Sequence, residues 1–217
     1  MTANNEVPVN TITFSGLREY YHLNSLIVWN MHCEFEEHLD AKANRILKEY
    51  QEDNPKQLEV WSSELHYIQV QMRTQLRYAL LPRFLSLFEG VLKSICKISD
   101  PISYEKVRQQ GWLKTHKKFL KDQDVELDDA IEDFATMRHL ITIRDCITHA
   151  NGEINRCKNP VPVKEAIESI GTAGVFEKDG VIFLGDQVIP TTSIAMSNIF
   201  VKLFSHFEHP LDWARWS

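Results

Sequence analysis

The sequence predicts an all-α fold, a helical bundle carrying one small β-hairpin near its C-terminus. Three observations lead there. Apolar residues recur at three- and four-residue steps through most of the first 155 positions. The chain has 217 residues, 43% hydrophobic and 25% charged, which suits one globular domain able to bury a core without staples. The texture changes after Asn151-Gly152, where a single short stretch, Gly171 to Gly185, reads as paired strands.

The elements follow in order. Residues 1–14 are polar and expected to be a flexible N-terminus, and residues 15–217 are expected to form a single helical domain. From Ser15 to Tyr50, positions such as Leu17, Tyr21, Trp29, Leu39, Ala43 and Ile46 repeat with helical spacing. Asn54-Pro55 reads as an N-cap with proline at the first helical position. The helix it opens carries Leu58, Trp61, Leu65, Ile68, Met72, Leu76 and Leu80, and Pro82 is expected to kink or end it. An apolar helix then runs from Phe84 to about Ile98. Residues 103–121 read as helix punctuated by Gly111. The acidic run from Asp122 to Asp133 places negative charge at the first turns of a further helix, carrying Leu127, Ile131, Phe134, Met137, Leu140 and Ile147. Asn151-Gly152 is its stop, because both residues tolerate the left-handed conformation.

Beyond it, Pro160 and Pro162 are expected to interrupt the chain. A hairpin over about 172–185 pairs Val175 and Phe176 with Val181, Ile182 and Phe183 across Lys178-Asp179-Gly180. A C-terminal helix over about 191–208, capped by Thr191 or Thr192, closes the fold. Trp213 and Trp216 are expected to dock onto the body or a partner.

Charge narrows the function. The formal charge is −6 and the pI about 5.8, so a protein that coats nucleic acid with its whole surface is excluded, while a local basic cleft is not. Four cysteines, Cys33, Cys96, Cys146 and Cys157, form no C-x-x-C pair and match no common zinc pattern, which reads as reduced and intracellular. The first ten residues lack a basic and apolar leader. No stretch approaches about 18 uncharged apolar residues, so no membrane span is expected. The expectation is a cytoplasmic protein. No Gly-rich phosphate loop, G-x-S-x-G elbow or dinucleotide fingerprint is present.

One segment concentrates chemistry. In MRHLITIRDCITHANGEI, Met137 to Ile154, an arginine (Arg144) is followed directly by a polar residue (Asp145) and, five positions on, by a histidine (His149). With its flanking Leu140, Ile143 and Ile147 and its Ala150-Asn151-Gly152 exit, this segment resembles the signature of the HEPN superfamily. There the polar position is often asparagine, and aspartate also occurs. The preceding stretch LPRFLSLFEGVLKSIC resembles the second long helix of that fold, with Glu89 where related chains often hold an acidic or polar residue. The resemblance covers residues 15–155 at the level of the bundle and is specific over 140–154. It implies a HEPN-like all-helical bundle that pairs into a two-fold homodimer, with two motif copies facing a shared cleft. It also implies metal-independent cleavage of single-stranded RNA, with no cofactor, in phage defence, toxin–antitoxin or stress-response systems, and an antitoxin or defence protein as a further partner.

The residue types suit that chemistry. RNA cleavage without a metal needs proton transfer at the 2′-hydroxyl and at the leaving oxygen, and positive charge where the phosphorane forms. A histidine near its reference pKa serves either proton role at neutral pH. An arginine remains charged and grips a phosphate through two parallel hydrogen bonds. Five helical steps of 100° place Arg144 and His149 about 140° apart, so they cannot share one stripe. A dimer resolves this by combining the arginine of one chain with the histidine of the other. Arg144 is thus the expected phosphate-binding residue, His149 the proton-transfer group and Asp145 the residue that orients them.

Other candidates are weaker. Lys114, His116, Lys117, Lys118 and Lys121 with Trp112 and Phe119 form a basic and aromatic cluster that can guide RNA, or serve as a solvated face. Arg138, Arg156 and Lys158 bracket the motif and make residues 138–158 net positive. We take Lys114, Lys117, Lys118, Arg138 and Arg156 as candidate substrate contacts. Arg73, Arg77 and Arg83 share one side of their helix. His32, Cys33 and His38 lack the spacing of a metal site, and no metal ligands are assigned. The alternative to an enzyme is a non-catalytic helical interaction or dimerisation module in a defence or regulatory system.

Overall fold

This computed structural model describes residues 13–52, 58–100, 104, 112–125 and 130–207. The predicted class holds: the described chain is helical apart from one two-stranded hairpin. Helix α1 spans Phe14–Glu52 and α2 spans Leu58–His66. A π-helical turn, Tyr67–Met72, leads straight into α3, Arg73–Ser99. After the loop come α4, Trp112–Asp122, and α5, Ile131–Ala150. A 3-10 turn, Ile154–Arg156, precedes α6, Val161–Ser169. Strands β1, Val175–Lys178, and β2, Val181–Leu184, form the hairpin, and α7, Val188–Phe207, ends the described fold.

Helix α3 is the axle of the bundle. Phe84, Leu85, Phe88, Leu92 and Ile95 are wholly buried along it. Their three- and four-residue spacing wraps the core face around the helix, and α1, α5 and α7 pack against it. From α5 come Phe134, Met137, Leu140 and Ile143; from α7 come Ile199, Phe200 and Leu203. Tyr21 of α1 meets Phe200 edge-on with ring centroids 4.6 Å apart, and its hydroxyl lies 3.0 Å from Ser197 Oγ. At about 58 Å, α1 outruns this core. Its far end makes a second small cluster, in which Leu39, Ala43 and Ile46 meet Ile68, with Trp61, Leu65 and Met72 against them.

Several local expectations need correction. Pro82 neither ends nor breaks its helix, since α3 runs from Arg73 to Ser99 with the proline inside. A proline removes one ladder bond and costs about 3 kcal/mol, and here the buried Leu80, Leu81, Phe84 and Leu85 on either side hold the helix in the core. The irregularity falls earlier, at the π turn. Pro160 and Pro162 do not interrupt the chain; they start α6, because proline fits a first turn whose N–H groups lack helical partners anyway. Helix α7 begins at Val188, so Thr191 and Thr192 do not cap it; Thr192 Oγ donates 2.6 Å back to the Val188 carbonyl. That helix is long and apolar enough by composition to cross a membrane, but it carries Lys202 and half of the stretch is buried in the core. The proposed Asn54-Pro55 start, Gly111, Leu127, Trp213 and Trp216 lie outside the described residues.

The hairpin turns on Asp179 and Gly180, both left-handed, and pairs Val175 with Leu184 and Phe176 with Phe183. Val175, Ile182 and Leu184 face the core and are buried. Two further backbone bonds tie it to the exit of α5: Ile154 N–H donates 2.9 Å to Gly180 O, and Ile182 N–H donates 2.9 Å to Gly152 O.

Candidate functional site

Helix α5 presents its motif on two faces. Met137, Leu140, Ile143 and Ile147 point inward and are buried. Arg138, Thr142, Asp145 and His149, spaced four, three and four apart, lie on one outward stripe, and Arg138, Asp145 and His149 are exposed. Arg144 falls off that stripe, as the helical arithmetic requires, and turns toward α3.

Arg144 is held there by carboxylates. Its Nη2 donates 2.7 Å to Glu89 Oε1 on α3. Its Nε lies 2.7 Å from Asp145 Oδ1, a close charge contact whose angle falls off a hydrogen-bond line. The guanidinium is half-buried. Burial is the largest single influence and disfavours its charge, but Glu89, by bond and by charge, and then Asp145 outweigh it, so Arg144 titrates above its ordinary range. Glu89 is thus the partner that fixes Arg144 across the helix pair.

The end of the motif helix is set by its cap. Asn151 sits at φ 53° and Gly152 at φ 76°, both left-handed. Only glycine fits at 152: a Cβ there would lie 2.2 Å from the Tyr78 hydroxyl. That hydroxyl donates to the Ile182 carbonyl of β2. Burial pushes the Tyr78 phenol up to about 12, which keeps it a donor at any physiological pH. Nearby, Cys146 on α5 and Cys157 after the 3-10 turn place their sulfurs 2.7 Å apart. Burial, reinforced by Cys157, pushes the Cys146 thiol up to about 12.

The expected substrate contacts divide. Arg138 is exposed on the His149 stripe, its Nη2 3.4 Å from His139 Nε2. Arg156 is exposed and pairs with Glu153 at 2.8 Å. Lys117 and Lys118 are exposed on α4, and Lys117 Nζ stands 5.9 Å over the Phe134 ring, at the opposite end of α5. Fifteen residues, about 22 Å, of α5 separate that ring from His149. The side chain of Lys114 lies outside the described residues.

Arg73 and Arg77 do not form an anion site. Arg77 donates from Nε (3.0 Å) and Nη2 (2.6 Å) to Glu36 Oε1 on α1, and from Nη1 (2.8 Å) to the Leu184 carbonyl of β2. Arg73 Nη1 donates 2.7 Å to Glu36 Oε2 and its Nη2 bonds Asp40. The legible signal was the matched spacing of Arg73 and Arg77 with Glu36 and Asp40, each pair four residues apart. Tyr78 and the two sulfurs had no comparable signature.

Comparison with protein-family models, with curated proteins and with solved structures finds no match for this chain.

Proposed function

We propose that this protein is a metal-independent endoribonuclease of the HEPN type, acting as a homodimer in phage defence, toxin–antitoxin or stress response. The observation that carries the reading is the arrangement on α5. Arg144 is braced by Glu89 at the helix–helix seam, while His149 is exposed in the last turn, on a stripe with Asp145 and Arg138.

Arg144 supplies the fixed positive charge and grips the scissile phosphate, a role in which preorganised charge is commonly the largest catalytic contribution. His149 takes the 2′-hydroxyl proton, or returns one to the leaving 5′-oxygen, so cleavage leaves a 2′,3′-cyclic phosphate and a 5′-hydroxyl. Asp145 holds the Arg144 side chain. Arg138 and Arg156 flank the bound strand, and Lys117 and Lys118 meet it several nucleotides away. One chain holds Arg144 and His149 on different faces, so two chains complete one site. Helix α1 also exposes an apolar stripe that a second chain would cover: Tyr20, Leu23, Ile27, Met31 and Phe35 lie along one side and are each 43–58% exposed.

The test is cleavage of single-stranded RNA by the purified wild type beside His149→Ala and Arg144→Ala, with chelator throughout. Chelator-resistant cleavage lost in both variants, with folding retained, is the expected result. Cleavage that survives both substitutions refutes the assignment. A second reading, a non-catalytic helical interaction module, is favoured by the two carboxylates that already engage Arg144. It expects no RNA decay by any of the three proteins.

A further inference from the structure

We propose that Cys146 and Cys157 are a reversible modification site, joined as an intramolecular disulfide through exchange with a low-molecular-weight disulfide of the glutathione type. Their sulfurs lie 2.7 Å apart, inside ordinary non-bonded contact. An approach of about 0.7 Å would bring them to bonding separation. The two thiols are unlike in access. Cys146 is buried on the inward face of α5, and Cys157 is partly exposed in the loop that follows.

That difference sets the order of events. Cys157 loses its proton and its thiolate attacks one sulfur of the small disulfide. The S–S bond breaks, and the first small thiolate leaves and takes up a proton. Cys146 then loses its proton and attacks the Cys157 sulfur, expelling the second small thiolate, which is protonated in turn. Two protein thiols are oxidised by two electrons, and one small disulfide is reduced to two thiols. An excess of small thiol reverses both steps.

The link has a definite mechanical target. The segment it closes contains His149, the left-handed pair Asn151 and Gly152, and the Glu153–Ile154 backbone that meets the hairpin. Joining its ends ties the last turn of α5 to the loop beyond it. The inference concerns the cross-link and the stiffness of that exit, and it stands whether or not the chain cleaves RNA.

The test equilibrates the full chain in glutathione buffers from fully reduced to disulfide-rich. Samples are acid-quenched, alkylated, digested and mapped by mass spectrometry. Expected is a Cys146–Cys157 linked peptide within single chains in the disulfide-rich arm, its loss on adding reduced glutathione, and its absence in Cys157→Ser. Cys33 and Cys96 serve as internal controls. Alkylation of both Cys146 and Cys157 after equilibration in the oxidised arm would overturn the proposal. So would a mixed disulfide on Cys157 that never passes to Cys146. Amide exchange over residues 150–154 should slow about tenfold on oxidation of the wild type, as local opening is suppressed. Unchanged exchange in the linked protein overturns the claim that the link stiffens the helix exit.

Discussion

Two arginines clasp carboxylates across α3, and they do so to opposite ends. Arg77 is 5% exposed and donates to Glu36 and to the Leu184 carbonyl, so its donors go to a carboxylate and to the hairpin backbone. Arg144 makes one directed bond, to Glu89, keeps a charge contact with exposed Asp145, and lies next to a solvent-facing stripe that ends in His149. The first is a staple joining α1, α3 and β2. The second is a charge held in place at the edge of solvent. The same kind of ion pair is buried and tied to the hairpin backbone in one place and partly open to water in the other.

The contrast can be broken at either end, and the largest effect belongs to the staple. Arg77→Met leaves the Leu184 carbonyl unpaired and Glu36 to Arg73 alone. It should cost about 3 kcal/mol, lowering the melting temperature by about 6–12 °C in a thermal scan. A loss below about 1 kcal/mol would remove the distinction between the two arginines. Next comes Gly152→Ala, which forces a side chain into left-handed backbone and onto the Tyr78 hydroxyl. About 2–3 kcal/mol is expected in denaturant unfolding, from backbone strain and the lost bond to Ile182. Tyr78→Phe in the same background should then cost little more, because the bond is already gone.

Arg144→Ala should cost no more than about 1 kcal/mol, since the pair is partly exposed. On the proposed function, RNA cleavage by this variant should nevertheless fall at least about a hundredfold. Equal losses of stability and activity in Arg77 and Arg144 variants would make both arginines structural. The smallest effect is one of pH. His32, beside Glu36, is buried, and burial above all, with Arg77 adding to it against the pull of Glu36, lowers its pKa below the ordinary value. The unfolded chain then binds the proton more readily than the folded one, so stability is full above about pH 6.5 and is lost as pH falls through the lower folded value. His32→Gln should flatten that acid slope in unfolding curves taken between pH 7 and 5.

Much of this was readable before any coordinates. Long amphipathic segments announce α1, α3 and α5 because a buried stripe must repeat every three or four residues. The Asp179-Gly180 turn and the Asn151-Gly152 stop were legible because few residues accept those backbone angles. The separation of Arg144 from His149 was simple helical arithmetic, while Glu89 was singled out only through the family resemblance. Prolines misled in one direction, towards breaks that the fold does not make. At Pro82 core packing overrides the broken ladder, and at Pro160 and Pro162 the same residue begins a helix instead of breaking the chain. The tie of Arg77 to Leu184, the fit of Tyr78 against Gly152 and the meeting of Cys146 with Cys157 were not legible. Arg77 and Tyr78 reach partners more than a hundred residues away, and Cys157 meets Cys146 only through the fold of the loop after α5.

The docked hairpin also imposes an order in time. A chain is made from its N-terminus, so the motif helix emerges before the strands that fasten its exit. Gly152 must wait for Ile182, about thirty residues of further synthesis, before its carbonyl receives its bond from the hairpin. Tyr78 and Arg77 wait longer still for the same strand. A nascent or truncated chain that stops short of β2 therefore carries every residue of the motif and lacks the backing that holds it in place. The contacts that fasten the exit of α5 and the Arg77–Tyr78 stretch of α3 to β2 thus form only after most of the described fold has been made.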